Sequence, residues 1–215
     1  MQTKETANSQ SVKNNLDNPI REDAFELSDS EKIGLIEGHF KEIMHILGLD
    51  LADESIQNTP SRVAKMYVQE AFSGINPKNR PKITLFENRY SYQEMLVEKN
   101  ITLYSYCEHH FVPIIGKVHI AYISGGTVIG LSKINRLVQF YAKRPQVQER
   151  LTNQIAQGLK EALNSADIAV IIDAAHLCVA SRGIKDTGTT TITAHFSGKF
   201  ENEAVKNQFI ALTRQ

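Results

Sequence analysis

The apolar residues keep a helical period as far as Pro81 and then turn to alternation, so helices and sheet must be built in largely separate runs. Before that point Ile33, Ile36, Phe40, Ile43, Met44 and Leu47 recur at helical spacing, with Ser28 or Ser30 as N-cap and Gly48 as the stop. Thr59-Pro60 opens a second helix, Thr as N-cap and Pro at the first helical position, running to about Phe72. Residues 1–28 are polar, lack an apolar period and read as a loosely ordered arm. Beyond Pro81, Ile101–Tyr106 and Lys117–Ile123 alternate as strands, and Ser124-Gly125-Gly126 makes a turn between two strands. Ser132 caps a helix to about Ala142, and Pro145 starts another whose Leu151, Ile155, Leu159 and Leu163 form one stripe. Asp167–Asp173 reads as a buried strand, Thr189–Phe200 as an alternating one, and Glu201 onward as a closing helix. The pattern predicts an α+β fold, an antiparallel sheet with helices on one face. It divides into the arm (1–28), a helical region (29–80) and a sheet-bearing domain (81–215).

The chain has two cysteines, each beside histidine: Cys107-Glu108-His109-His110 at the end of a strand, and His176-Leu177-Cys178 past the buried strand. Cys107 and His110 cannot share a face in an extended strand, but a strand-to-strand corner brings them together. Cys107, His110 and Cys178 then supply two thiolates and one imidazole. Three protein ligands with one open position is a catalytic zinc arrangement, and thiolate with imidazole favours zinc over magnesium or calcium. His109 or His176 as a fourth ligand would close the site and make it structural. The plainer alternative is two inert thiols or a disulfide. His39, His45, His119 and His195 read as surface, boundary or hydrogen-bonded structural groups.

Lysines plus arginines number 24, as do aspartates plus glutamates, so no overall field favours nucleic acid or an anionic membrane. An anion site must be a local cluster. Ser132, Lys133 and Arg136 stand at a helix start, where free N–H groups and the dipole favour phosphate. Arg182 follows the second cysteine by four residues, and Arg62 and Lys65 lie near the start of the Thr59-Pro60 helix. Singly each is a solvated face; together they suggest a polyphosphate site. Glu149, with Gln148 beside it, is either a first-turn dipole partner or a carboxylate for guanine's N1–H and N2–H₂; the sequence leaves both open. The longest apolar run, Ile168–Ile172, is far short of the roughly 20 residues that span a bilayer. Met1-Gln2-Thr3-Lys4-Glu5 carries no hydrophobic signal region, so the cytoplasm is the expected compartment.

Ser105-x-Cys-Glu-His-His110, Gly116-x-x-His-Ile-Ala-Tyr-Ile123, Gly130-Leu-Ser-Lys133, Arg136, Gln146-x-Gln-Glu-Arg-Leu-Thr152 and His176-x-Cys178-x-x-x-Arg-Gly183 together resemble the zinc-dependent form of the GTP cyclohydrolase I family. The likeness extends over roughly residues 30 to 200 and includes Thr59-Pro-x-Arg-Val-Ala64. Ser124-Gly125-Gly126 stands where the family often has proline, and Gly188 where it often has serine. The resemblance implies the tunnelling fold in a homodecamer that turns GTP into 7,8-dihydroneopterin triphosphate and formate. It implies Cys107, His110 and Cys178 as zinc ligands and His109 and His176 as proton-transfer groups. Glu149, with Gln148, would hold the guanine edge. Ser132, Lys133, Arg136 and Arg182 would hold the triphosphate, with Arg62 and Lys65 reaching in from a neighbouring subunit. Rival readings are a zinc-stabilised purine-nucleotide-binding module and a nitrile reductase of the same fold. The latter needs a nucleophilic cysteine outside a metal site.

Overall fold

A computed structural model describes residues 17–214. The first helix, α1 (Asp29–Ile46), starts where the serine pattern puts it. Ser28 accepts from the Glu31 N–H while the Glu31 carboxylate takes the Ser28 N–H, a reciprocal cap. Gly48 leaves the helix at φ 82°, a conformation glycine adopts at no steric cost. Helix α2 (Thr59–Lys65) is capped by Asn58 rather than Thr59, so Pro60 sits one place further in than the sequence suggests. It continues as a π-helical turn over Met66–Ala71. Of the polar arm, residues 1–16 lie outside the described residues. Residues 17–28 form turns, and Asn18 is hydrogen-bonded to Arg144, Pro145, Gln146 and Gln154.

The later elements are β1 (Leu85–Glu87), β2 (Met95–Cys107), β3 (Pro113–Ile123), β4 (Thr127–Ile129), α3 (Leu131–Ala142), β5 (Pro145–Gln146), α4 (Gln148–Leu163), β6 (Ile168–His176), α5 (Leu177–Ala180), β7 (Thr191–Phe196) and α6 (Glu203–Thr213). The main sheet has the order β5-β2-β3-β6-β7 and is antiparallel except for the short parallel β5/β2 pair. The 124–126 turn leads from β3 to β4, which pairs with β1 in a separate two-stranded sheet. Two helix starts move. Gly130, not Ser132, is the N-cap of α3, and Pro145 belongs to β5, α4 beginning only at Gln148.

Helices α3 and α4 cover one face. Leu151, Ile155 and Leu159 of α4 and Ile134, Leu137 and Val138 of α3 pack on Leu103, Val118, Ile120, Ile168, Val170 and Ile172, all buried. Each such side chain is worth about 1.5–3 kcal/mol of burial. The other face is not bare, which corrects the one-sided layering. Phe200 and Phe209 cover Ala121, Ile123 and Ala169 there, and Phe209 comes from α6. Among the described residues no helix is long and apolar enough to cross a membrane.

Candidate active site

Strand β2 ends on Cys107, and the chain reverses at once into β3. The Cys107 N–H donates to Val112 O (2.9 Å) and the Phe111 N–H to Cys107 O (2.9 Å), closing a tight loop over residues 108–112. Phe111 takes φ 54°, a region bulky residues rarely enter. Its ring is held by Phe72 (centroids 4.9 Å apart) and Tyr67 (6.2 Å), on and beside the π-helical turn. That reversal brings His110 back beside Cys107, as the corner argument requires. From the other side, β6 delivers His176 and passes into the single turn α5, whose second residue is Cys178. Ligand atoms of Cys107, His110 and Cys178 all lie within 4.8 Å of one another, a spacing that could hold a metal ion.

The donor chemistry fits zinc: two sulfurs and one imidazole, with no carboxylate in the group. Both cysteines are free thiols. Burial pushes the Cys178 thiol up, and the neighbouring Cys107 adds to it, so a cation between them relieves two costs together. His109 and His176 stand outside the three-membered group. His109 is exposed, its Nδ1 3.7 Å from Cys107 Sγ and its Nε2 3.9 Å from a Glu108 oxygen.

His176 is held by a residue expected elsewhere. Gln148 is 2% exposed, and its amide N–H groups donate to Ile172 O (3.2 Å), Thr191 O (2.8 Å) and Thr193 Oγ1 (3.1 Å). Backbone carbonyls only accept, so the amide orientation is fixed and Oε1 must face His176 Nε2 at 2.7 Å. His176 therefore carries its proton on Nε2 and leaves Nδ1 bare. Burial lowers the His176 pKa, and Glu149 opposes that shift. Glu149 itself is exposed on the first turn of α4, with no hydrogen bond or ion pair among the described residues. Its carboxylate is open to a ligand, whereas the Gln148 amide is already engaged.

Arg182 Nη1 donates to His110 Nε2 (2.8 Å), placing one expected cation at the metal group. The other cations are not drawn there. Ser132 and Arg136 are exposed and Lys133 half-buried near the start of α3. Arg136 lines a cavity of about 240 Å³ with Ser73, Pro81 and Lys143. Arg62 and Lys65 are exposed on α2. None of these five hydrogen-bonds to the metal loop. The sequence reading assigned no part to Glu108, Arg150 or Gln146. Arg150 pairs with Glu108 and donates from Nε to Gln146 Oε1 (3.1 Å). The one sequence signal was the four-residue step from Gln146 to Arg150 across the start of α4.

Two thiols and an imidazole within reach of one another, with two further histidines beside them, could hold a metal ion. The profile of the GTP cyclohydrolase I family matches residues 36–214, and the chain belongs to that family. A protein named GTP cyclohydrolase 1 from Flavobacterium johnsoniae is 59% identical over 196 residues, 91% of this chain and 88% of the relative. Proteins of the same name from Escherichia coli and Shigella boydii are each 50% identical over 204 residues, 94% of this chain and 92% of theirs.

Proposed function

We propose that the chain converts GTP and water to 7,8-dihydroneopterin triphosphate and formate in the cytoplasm, the opening step of folate and pterin synthesis. The observation that carries this reading is one cluster: a three-donor metal group, a histidine of assigned tautomer and an unpaired carboxylate at one end of the sheet. Cys107, His110 and Cys178 would hold zinc, which when bound would supply Lewis acidity to a water directed at guanine C8.

The rest is work for side chains. Protonation of guanine N7 makes C8 electrophilic, and His109 or His176 delivers that proton. Burial lowers the His176 pKa, and its bare Nδ1 accepts a proton from the attacking water and returns it to the ring nitrogen as the imidazole ring opens. Glu149 accepts guanine N1–H and N2–H₂, and adenine offers no matching pair of donors. Gln148 acts on His176 instead of on the base. Ser132, Lys133, Arg136 and Arg182 bind the triphosphate, with Arg62 and Lys65 contributed by a neighbouring subunit of a homo-oligomer, a decamer on the family likeness. The domain division at residues 29–80 and 81–215 follows the same reading: helices that carry a neighbour's cations, and a sheet that carries the chemistry.

The test is to incubate zinc-loaded protein with GTP or ATP and to assay formate and, after oxidation, fluorescent pterin. GTP gives both products, ATP neither, and chelation of the metal abolishes them. Glu149→Gln narrows a nucleobase discrimination that such a carboxylate can raise to ~10⁴-fold. Zinc-loaded protein that binds GTP and releases no formate would be a purine-nucleotide-binding module, and the reading would be wrong. A nitrile reductase is disfavoured because both cysteines belong to the metal group.

A further inference from the structure

Asn18 lies 18 residues before the family match begins, yet it is tied into the side of the metal loop. It is half-buried and uses its amide fully. Nδ2 donates to Pro145 O (2.8 Å) and Gln146 Oε1 (3.4 Å), while Oδ1 accepts from Arg144 Nη1 (3.2 Å) and Gln154 Nε2 (3.0 Å). All four partners are more than 120 residues away in sequence.

Gln146 is the junction of this network. It is fully buried, and its Nε2 donates to Tyr141 O (2.9 Å) and Gln154 Oε1 (2.8 Å). A backbone carbonyl can only accept, so this amide too has one allowed orientation, with Oε1 toward Arg150 and Asn18. Arg150 donates from Nε to Gln146 Oε1 and from Nη2 to Pro145 O, the same two oxygens that Asn18 holds, and that Nη2 also pairs with Glu108. The Gln146 backbone acts on the same loop: its carbonyl accepts the Glu108 N–H (3.0 Å), and Gln146 pairs with Cys107 where β5 meets β2. Glu108 sits between the ligand Cys107 and His109, and its second oxygen is the one 3.9 Å from His109 Nε2. One continuous set of hydrogen bonds therefore runs from the arm to the residue flanked by a metal ligand and a proton carrier.

We propose that Asn18 is a positioning residue for the metal loop, acting through Gln146 and Arg150 on Glu108. This rests on the reading of Cys107, His110 and Cys178 as a metal site. The physical argument concerns the two shared oxygens. Asn18 and Arg150 together satisfy Gln146 Oε1 and Pro145 O, so removing the Asn18 donors leaves Arg150 alone to serve both. Its guanidinium is then free to shift along them, and the Glu108 carboxylate shifts with it. Groups beyond a metal's ligands orient them and tune the site, and the loop loses that restraint.

The experiment uses the full chain as parent, Asn18→Ala and Asn18→Asp, each loaded with zinc and separately with cobalt(II). Aspartate keeps an acceptor for Arg144 and Gln154, so the arm stays anchored, but it cannot donate to Gln146 or Pro145. Both variants are expected to release zinc to a chromogenic chelator about threefold faster than the parent, less than the roughly 10–100-fold effect of removing a group that touches a ligand directly. Both should alter the cobalt–thiolate absorption bands and lower kcat while KM for GTP stays within about twofold of the parent. The Asn18→Asp melting temperature should fall somewhat, because its second carboxylate oxygen faces the Pro145 and Gln146 oxygens, so metal release and the cobalt spectrum are the deciding readouts. If Asn18→Asp behaves as the parent in metal release and cobalt spectrum, Asn18 merely anchors the arm and the proposal fails; this variant decides the matter even if Asn18→Ala does not fold. A parent that takes up no cobalt overturns the metal reading and the proposal together, whereas cobalt binding in all three at equal tightness overturns the positioning role alone.

Discussion

Gln148 has its amide locked between the β6–β7 edge and His176, so the tautomer of His176 is decided before any substrate arrives. Gln148→Met preserves volume and removes every one of those bonds. Turnover should fall about 10²-fold, the lower end of what a positioned proton carrier contributes, with zinc content and KM for GTP nearly unchanged. Single-turnover formate release on metal-analysed protein checks it; a variant with the parent's kcat would make the contact incidental. A second prediction follows from burial of histidine. Burial lowers the pKa of His119, His176 and His195 below the ordinary 6.5, Asp173 and Glu149 opposing it at the first two and Lys160 adding to it at the third. As pH falls through that value the unfolded chain takes up protons that the folded chain resists, so stability declines below it and recovers above it. The melting temperature should therefore drop between about pH 7.5 and 5.5. His195 Nδ1 contacts Asn153 Oδ1 at 2.9 Å and its Nε2 is buried without a partner among the described residues. His195→Asn should consequently flatten the slope. An unchanged slope would assign the acid sensitivity to other groups.

At the scale of elements, the chemistry depends on how closely β3 and β6 approach. Gly116 pairs with Ala174, and a Cβ there would lie 2.2 Å from Asp173 O and 2.5 Å from Ala174 Cα and Cβ. These are backbone atoms and a rooted methyl, so the strand itself must move. Gly116→Ala should cost about 1–3 kcal/mol of stability, as overpacking does. It should also weaken metal binding, because β6 carries His176 two residues further on and Cys178 follows it. Thermal melts alongside zinc titration would show it; loss of stability with intact zinc affinity would mean that β6 yields without moving its end. The elements themselves were unequally legible. The Leu151–Leu163 stripe and the Ile168–Ile172 run predicted α4 and β6 because each buries one kind of surface. The strand read from alternation starts at Ile101, whereas β2 starts at Met95: over Met95–Val97 both faces are covered, Leu96 by the α3/α4 side and Met95 and Val97 by the α6 side, and the register shifts between Glu98 and Ile101. Pro145 suits a first helical turn, but pairing with Tyr106 holds it in β5 and Val147 stays extended, so α4 waits for Gln148. The metal donors were legible because cysteine is scarce and its neighbours are histidines. The Gln148–His176 and Asn18–Gln146–Arg150 contacts were not, since side-chain amides announce no partner and these partners lie far apart in the chain.

For the molecule as a whole, Arg182 is the one expected cation hydrogen-bonded to the metal group among the described residues. Among the described residues Arg62 and Lys65 stand exposed on α2 with no hydrogen bond or ion pair to the metal loop, and α1 beside them exposes Leu35 (54%), Ile43 (48%) and Ile46 (79%), with Leu47 (71%) at its C-cap. A helix that leaves this much apolar surface in water is suited to a second copy of the chain. A triphosphate carries about four negative charges near pH 7, and Lys133, Arg136 and Arg182 number one fewer. A neighbour's Arg62 and Lys65 would complete the clamp with charge-assisted hydrogen bonds, roughly twice as strong as neutral ones. If the site is shared in this way, Arg62→Ala disables the clamp that a chain lends, while Cys178→Ser disables the metal group that a chain keeps. Each variant alone is inactive. Co-assembled by subunit exchange, some interfaces join the intact metal group of the Arg62→Ala chain to the intact Arg62 of the Cys178→Ser chain, and partial activity returns. With random mixing of equal amounts, about a quarter of the interfaces qualify, provided each site draws on two chains. Activity near that fraction of the parent, in assemblies shown by mass measurement to be mixed, would place the phosphate clamp across the subunit boundary. A mixed assembly that stays inactive would put the whole site within one chain, and a fully active monomer would do so more directly.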